Sequence, residues 1–201
     1  MKSLTRRQAM VGGAAGLVGA AVGARAHPEK PVEQEALQAY ARFVARRDEV
    51  DEGKQPWSVM ADFFTEDAAY IDPAGRVEGR ENIRAFFEWS MIGLTGHGWS
   101  TPENWTMAEG HRVVSQWDQI LGHKEDGTPW MVPGISVLYY ARDGLFCYSH
   151  DTLDMQQIRR TLKAMKWQLP AGITRPERPP NPNHDVSLPP AWAHLEPSRS
   201  G

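Results

Sequence analysis

The sequence predicts an α+β fold: a curved, mostly antiparallel sheet wrapped by N-terminal helices, with a C-terminal helix and an extended tail. Three observations carry that prediction. Apolar residues recur at helical spacing in the first half, strand-length runs broken by Gly-containing turns follow, and one more helical pattern precedes a proline-rich end. The chain has 201 residues, 41% of them hydrophobic and 23% charged, which is the size of about one domain and the composition of an ordinary globular one.

From Glu33 to about Val50, the residues Leu37, Tyr40, Ala41, Val44 and Ala45 recur at helical spacing among charges such as Arg46 and Arg47. Trp57 to Phe64 reads as a second helix, ended by Thr65-Glu66-Asp67. Ala68 to Asp72 is a short strand stopped by Pro73-Ala74-Gly75. Glu81 to Met91 forms a third helix with Ile83, Phe86 and Phe87 on one face. After a joint of Gly93, Gly96 and Gly98 come four strands: Asn104 to Ala108, His111 to Gly122, Trp130 to Arg142 and Leu145 to Asp151. Glu109-Gly110, Glu125-Asp126-Gly127 and Arg142-Asp143-Gly144 are the turns between them, two with Asp-Gly hairpin steps. Gln156 to Trp167 closes as a helix, with Asp154 as its cap. A sheet so wrapped leaves a blind pocket, for which Trp89, Trp99, Trp105, Trp117 and Trp130 supply apolar walls.

Both ends differ from this body, residues 27 to 167. Residues 1 to 26 read as a twin-arginine signal peptide: Arg6-Arg7, an uncharged run from Ala9 to Ala24, and Ala24-Arg25-Ala26 as the cleavage site. That run is shorter than the roughly 20 residues a membrane-spanning helix needs. The expectation is export to the periplasm with no stable membrane anchor after cleavage. Residues 168 to 201 hold eight of the 15 prolines and almost no periodicity, a tail either without order or laid in extended form over a neighbour. The whole chain carries −3, and removing the four cations Lys2, Arg6, Arg7 and Arg25 leaves −7 on the body. So acidic a body does not attract phosphate backbones, and nucleic acid is not an expected partner. The single cysteine, Cys147, excludes an intramolecular disulfide. The histidines lack metal-ligand spacing, and no phosphate-cradling glycine motif stands between a strand and a helix. No metal and no cofactor are expected.

Two stretches carry a resemblance. Phe64 to Gly75, followed by Glu78-Gly79-Arg80-Glu81-Asn82-Ile83-Arg84-Ala85-Phe86-Phe87, is similar to the ketosteroid isomerase pattern. Tyr148-Ser149-His150-Asp151 resembles the final-strand Tyr-x-x-Asp of epoxide hydrolases and polyketide cyclases. Residues 35 to 167 thereby resemble the nuclear transport factor 2-like superfamily, in its SnoaL-like and ketosteroid isomerase-like branch. The resemblance implies a cone-shaped barrel, a homodimer paired through outer sheet faces, and Asp72 as catalytic base. It also puts Phe43 where the isomerases keep an oxyanion-binding tyrosine, with Tyr40 nearby, and Ser136 where they keep a second acid, so the steroid isomerase site is incomplete. It turns Ser136, Leu138 and Tyr140 inward.

Removing a proton from a buried guest needs a base kept out of bulk water, because burial raises a carboxylate toward working pH. Strand alternation puts Tyr70 and Asp72 on one face. It groups Cys147, Ser149 and Asp151 on one face of the last strand, and Tyr148 and His150 on the other. A one-residue slip would turn His150 inward, so it stays a candidate. The expectation is a cofactor-independent lyase or isomerase acting on a hydrophobic cyclic or aromatic molecule. Asp72 is its base, Asp151 or His150 the proton partner, and Tyr140 or Tyr148 a hydrogen-bond donor. Tyr70, Trp89, Trp117, Ser136 and Leu138 line the substrate site. Epoxide hydrolysis is an alternative, although no inward arginine is evident; a non-catalytic binding or dimerisation module is another.

Overall fold

The computed structural model describes residues 31–174, 181 and 183–196. The expected signal peptide, residues 1 to 26, lies outside the described residues.

Helix α1 (Val32–Asp51) leads into a 3-10 turn (Trp57–Phe63), then β1 (Phe64–Asp72), β2 (Gly75–Glu78) and α2 (Arg80–Ser90). Strands β3 (Glu103–Glu109), β4 (Arg112–His123), β5 (Pro129–Arg142) and β6 (Leu145–Leu153) follow, then α3 (Met155–Ala164) and a 3-10 turn (Pro190–Leu195). The six strands make one curved sheet in the order β2-β1-β6-β5-β4-β3. All neighbours are antiparallel except β1 and β6, which run parallel. The fold is the α+β architecture that the sequence predicts. Among the described residues no helix is long and apolar enough to cross a membrane.

Strand β2 is new. Pro73-Ala74-Gly75 does not stop the chain but turns it: Asp72 Oδ1 accepts from the Ala74 N–H at 2.8 Å, an Asx turn, and Gly75 takes φ +119. Helix α1 is rotated from the apolar stripe read in the sequence. It buries Ala36, Ala39, Tyr40, Arg47 and Val50, and leaves Leu37 exposed. The buried stripe contains an arginine, which is why hydrophobicity alone misplaced it. Helix α2 does bury Ile83, Phe86 and Phe87. The Asp154 side chain caps α3, accepting from the N–H groups of Gln156 and Gln157.

The meander sets the inner wall. On β4 the buried residues alternate through Val113, Ser115, Trp117, Gln119 and Leu121, all on the concave side. Ser136 pairs with both Ser115 and Asp151, so three strands bring polar side chains to one level. Register shifts in β5–β6 near Tyr139 and Tyr140 break the simple alternation. As a result Phe146 joins the inner core, while Cys147 joins Tyr148 in the outer cluster, against the expectation that Cys147 shares a face with Ser149.

The tail lies against its own chain. Asn181 and residues 183–188 run beside β2, where Asn183 O accepts from Arg76 N at 2.7 Å and Asn181 Nδ2 donates to Arg76 O at 2.6 Å. Leu188, Trp192 and Leu195 then cover Ala69, Ile71, Tyr139, Ala141, Cys147 and Tyr148 on the convex face. Among the described residues the tail runs extended along β2 as far as the 3-10 turn, as one of the two expectations had it, but its support is its own sheet.

Candidate functional site

A cavity of about 480 Å³ opens between the concave sheet face and helices α1, α2 and α3, the size of a small-molecule site. Its walls are aromatic, with Trp57, Phe86, Phe87, Trp89, Trp99 and Trp117. Trp105 and Trp130 are absent from that wall. A register shift between Glu103 and Trp105 pairs Trp105 with outward Gln116, and it ends 45% exposed on the convex face. Trp130 sits beneath Lys124, 4.9 Å from its ring centre.

At the sheet end of the cavity the half-buried Asp151 carboxylate forms part of the wall. Ser136 Oγ donates to its Oδ1 at 2.6 Å, Tyr70 OH to its Oδ2 at 2.6 Å, and Ser149 Oγ more weakly at 3.4 Å. Trp117 Nε1 donates in turn to Ser136 Oγ at 2.8 Å. The register explains the convergence, since Ser136 faces Asp151 across β5–β6 and Tyr70 faces Ser149 across β1–β6. Burial pushes the Asp151 carboxyl above the ordinary aspartate range, outweighing the hydrogen bonds from Ser136 and Tyr70 and the field of Arg47. It is a carboxylate that holds its proton more tightly than one in water.

A second polar set stands on α1. Arg47 is 5% exposed and lines the cavity, and its Nη2 donates to Glu103 Oε2 at 2.8 Å. Tyr40 OH lies 2.6 Å from Ser115 Oγ and 3.2 Å from the Glu103 carboxylate, and Ser115 Oγ also donates to Glu103. Burial raises the Tyr40 phenol, so it stays protonated. Arg47 is the inward arginine that the sequence did not reveal.

Of the expected site residues, Asp72, Asp151, Tyr70, Trp89, Trp117, Ser136 and Leu138 are brought together in the cavity wall. Asp72 stands near its edge, half-buried beside exposed Pro73 and Ala74, with one oxygen engaged by the turn. Three candidates fall elsewhere. Tyr140 points inward but at the far end of the core, where its hydroxyl donates to Glu35 at 3.1 Å and its ring stacks on His111. Tyr148 faces the convex side and donates to Val186 O at 2.8 Å, its phenol pushed up to about 12 by burial. His150 also faces outward, into a shallow cleft with His184 and Val186, because no slip intervenes between Tyr148 and Asp151. Alternation rules here. Among the described residues no three His, Cys, Asp or Glu side chains converge to hold a metal ion.

The family model for the SnoaL-like domain matches residues 33–148, more than half of the chain. The chain belongs to the SnoaL-like domain family. Two solved structures share its fold. A candidate SnoaL-like polyketide cyclase from Jannaschia sp. CCS1 is 20% identical with a TM-score of 0.53, covering 69% of this chain and 99% of its own. A second, from Shewanella putrefaciens CN-32, is 17% identical with a TM-score of 0.50, covering 69% and 97%. No curated protein matches.

Within this SnoaL-like domain one glycine holds the wall in place. A Cβ on Gly134 would overlap the Trp117 ring. Gly134→Ala is therefore expected to push Trp117 off Ser136 and cost about 1–3 kcal/mol of stability. Thermal denaturation checks it, and an unchanged midpoint would show that the ring can yield freely.

Proposed function

We propose that this SnoaL-like domain is a cofactor-independent enzyme of lyase or isomerase type, acting by general acid-base chemistry on a hydrophobic cyclic or aromatic molecule. The observation that carries this reading is the Asp151 carboxylate set in the end wall of an aromatic cavity and held there by Tyr70 and Ser136. Asp151 takes a proton from a carbon next to a carbonyl, and the C–H electron pair moves onto the carbonyl oxygen. Tyr70 and Ser136 hold the carboxylate in place. Returning the proton to another carbon of a conjugated guest isomerises it; where a hydroxyl stands on the next carbon, the enolate electrons re-form the carbonyl and expel it, and it takes the proton from Asp151 and leaves as water. The role of base thus passes from Asp72 to Asp151. Epoxide hydrolysis has less support, because the acid paired with Arg47 is Glu103, which is not in the cavity wall.

Solvent-deuterium exchange next to the carbonyl, followed by NMR over a panel of cyclic and aromatic ketones, tests the proposal without knowledge of the product. Tyr70→Phe removes one of the two short hydrogen bonds to Asp151 and is expected to slow exchange about tenfold. Asp72→Asn is expected to leave it within a factor of about three, since an asparagine keeps the turn. The reverse order would return the base to Asp72.

We also propose export by the twin-arginine route, on the strength of residues 1 to 26, and a homodimer. The tail leaves Trp105, Met107, Met131 and Ile135 exposed, and all four alternate with concave-facing neighbours on their strands. So many exposed apolar side chains on one sheet face suit burial against a second copy.

A further inference from the structure

Among the described residues only two buried side-chain nitrogens or oxygens lack a hydrogen-bond partner: Arg47 Nε and Trp99 Nε1. Both side chains line the one aromatic cavity. Orphaned buried donors are rare, since each forfeits its hydrogen bond to water without a replacement. Two of them in one cavity wall call for an acceptor that the protein itself does not supply.

The two are neighbours through the chain. Asp51 lies one turn beyond Arg47 on α1, and its Oδ2 accepts from both the N–H and the hydroxyl of Thr101, each at 2.8 Å. Trp99 is two residues before Thr101, and Thr101 also lines the cavity. The charges nearby define the acceptor further. Arg47 already pairs with Glu103 and feels the field of Asp51, and Asp151 lies in the same cavity wall. A guest arriving as an anion would meet Asp72 and Asp151 in the wall, facing one cation already engaged by Glu103 and Asp51. A neutral carbonyl meets no such repulsion, and it gains from a cation at the moment its oxygen takes up charge.

Resting on the acid-base reading above, we infer that the cavity takes a neutral carbonyl compound whose oxygen is held by the N–H donors of Arg47 and Trp99. The proton leaves toward Asp151, and the electron pair is received on the oxygen at the Arg47 side.

Isothermal titration with three probes of one shape tests this: 2-acetylnaphthalene, its hydrocarbon counterpart 2-ethylnaphthalene, and 2-naphthoate. The ketone is expected to bind the wild-type chain about tenfold more tightly than the hydrocarbon, the worth of one to two net hydrogen bonds. Trp99→Phe keeps the ring without its N–H, and Arg47→Lys keeps the charge beside Glu103 without the Nε donor. Each is expected to narrow the ketone preference to about threefold, and the double variant to erase it. Comparing ketone with hydrocarbon inside each variant cancels any general loosening of the wall. Equal binding of ketone and hydrocarbon by the wild type would overturn the inference, as would a preference unchanged in both variants. Tighter binding of 2-naphthoate than of the ketone would overturn the neutral class. In all those cases exchange catalysis by Asp151 would stand, whereas no binding of any probe would remove the aromatic-guest reading and this inference with it.

Discussion

Asp151→Asn is expected to lower turnover by about 10²–10⁴-fold, the usual worth of a positioned general base, while binding of 2-acetylnaphthalene stays within a factor of about three. Asparagine keeps the shape of the side chain, and the hydroxyls of Ser136 and Ser149 can rotate to accept from its amide. The change therefore removes the proton acceptor without emptying the cavity. The pH dependence has a defined sign. Burial raises the Asp151 carboxyl above its ordinary value of 3.8, so the folded chain holds this proton more tightly than the unfolded chain. Between 3.8 and the raised folded value, stability falls as pH rises. The rate rises in that same window, because the base works only when ionised, and then levels off. Asp51 is raised by burial too and adds a stability slope of the same sign. The asparagine variant should lose the rate slope outright and only part of the stability slope. Rate profiles and denaturant midpoints across that window separate the two. Wild-type exchange rates in the variant would end the role of Asp151.

A chain ending at Thr174 is expected to lose about 3–5 kcal/mol of stability, from the apolar burial of Leu188, Trp192 and Leu195 and the hydrogen bonds that go with it. For a chain of this length that lowers the melting temperature by roughly 6–20 °C. Arg76 is the sharpest point. Its side chain is 2% exposed and donates to Asp185 O at 3.1 Å and Ser187 O at 2.7 Å, besides its pair with Glu78. Without residues 181–196 this cation loses two acceptors. Tyr148 loses Val186 O, and Trp192 no longer donates to Asp67 at 3.0 Å. Cys147, whose thiol burial pushes up to about 12, comes to lie nearer the surface, so a thiol reagent should modify it faster in the shortened chain. Melting and labelling rates equal to those of the full chain would show the tail to be dispensable.

What was legible in the sequence was what neighbouring residues decide among themselves. The turns at Glu109-Gly110, Asp126-Gly127 and Asp143-Gly144 fixed the meander, and strand alternation put Ser149 and Asp151 on one side with Tyr148 and His150 on the other. The apolar spacing of Ile83, Phe86 and Phe87 placed α2, and Asp154 announced the start of α3. Arg47 was hidden for a physical reason. A buried arginine looks like a solvated one until its acid is known, and Glu103 is 56 residues away. Tyr140 could be turned inward by alignment, but how deep it sits depends on the bulged β5–β6 register. The partner of Tyr148 comes from the tail, where no periodicity pointed to contact with the sheet.

By itself, then, the sequence determined the order of elements, the faces of its regular strands and the α+β class, because these follow from turns and periodicities that span a few residues. Only the tertiary structure decided which carboxylate is sheltered. Asp72 and Asp151 are both strand-end aspartates in the sequence, but the first is drawn into a turn at the cavity edge. The second is drawn into the cavity wall because β1 and β5 bring Tyr70 and Ser136 to it. Burial is a property of packed neighbours, and it is burial that makes a carboxylate a base.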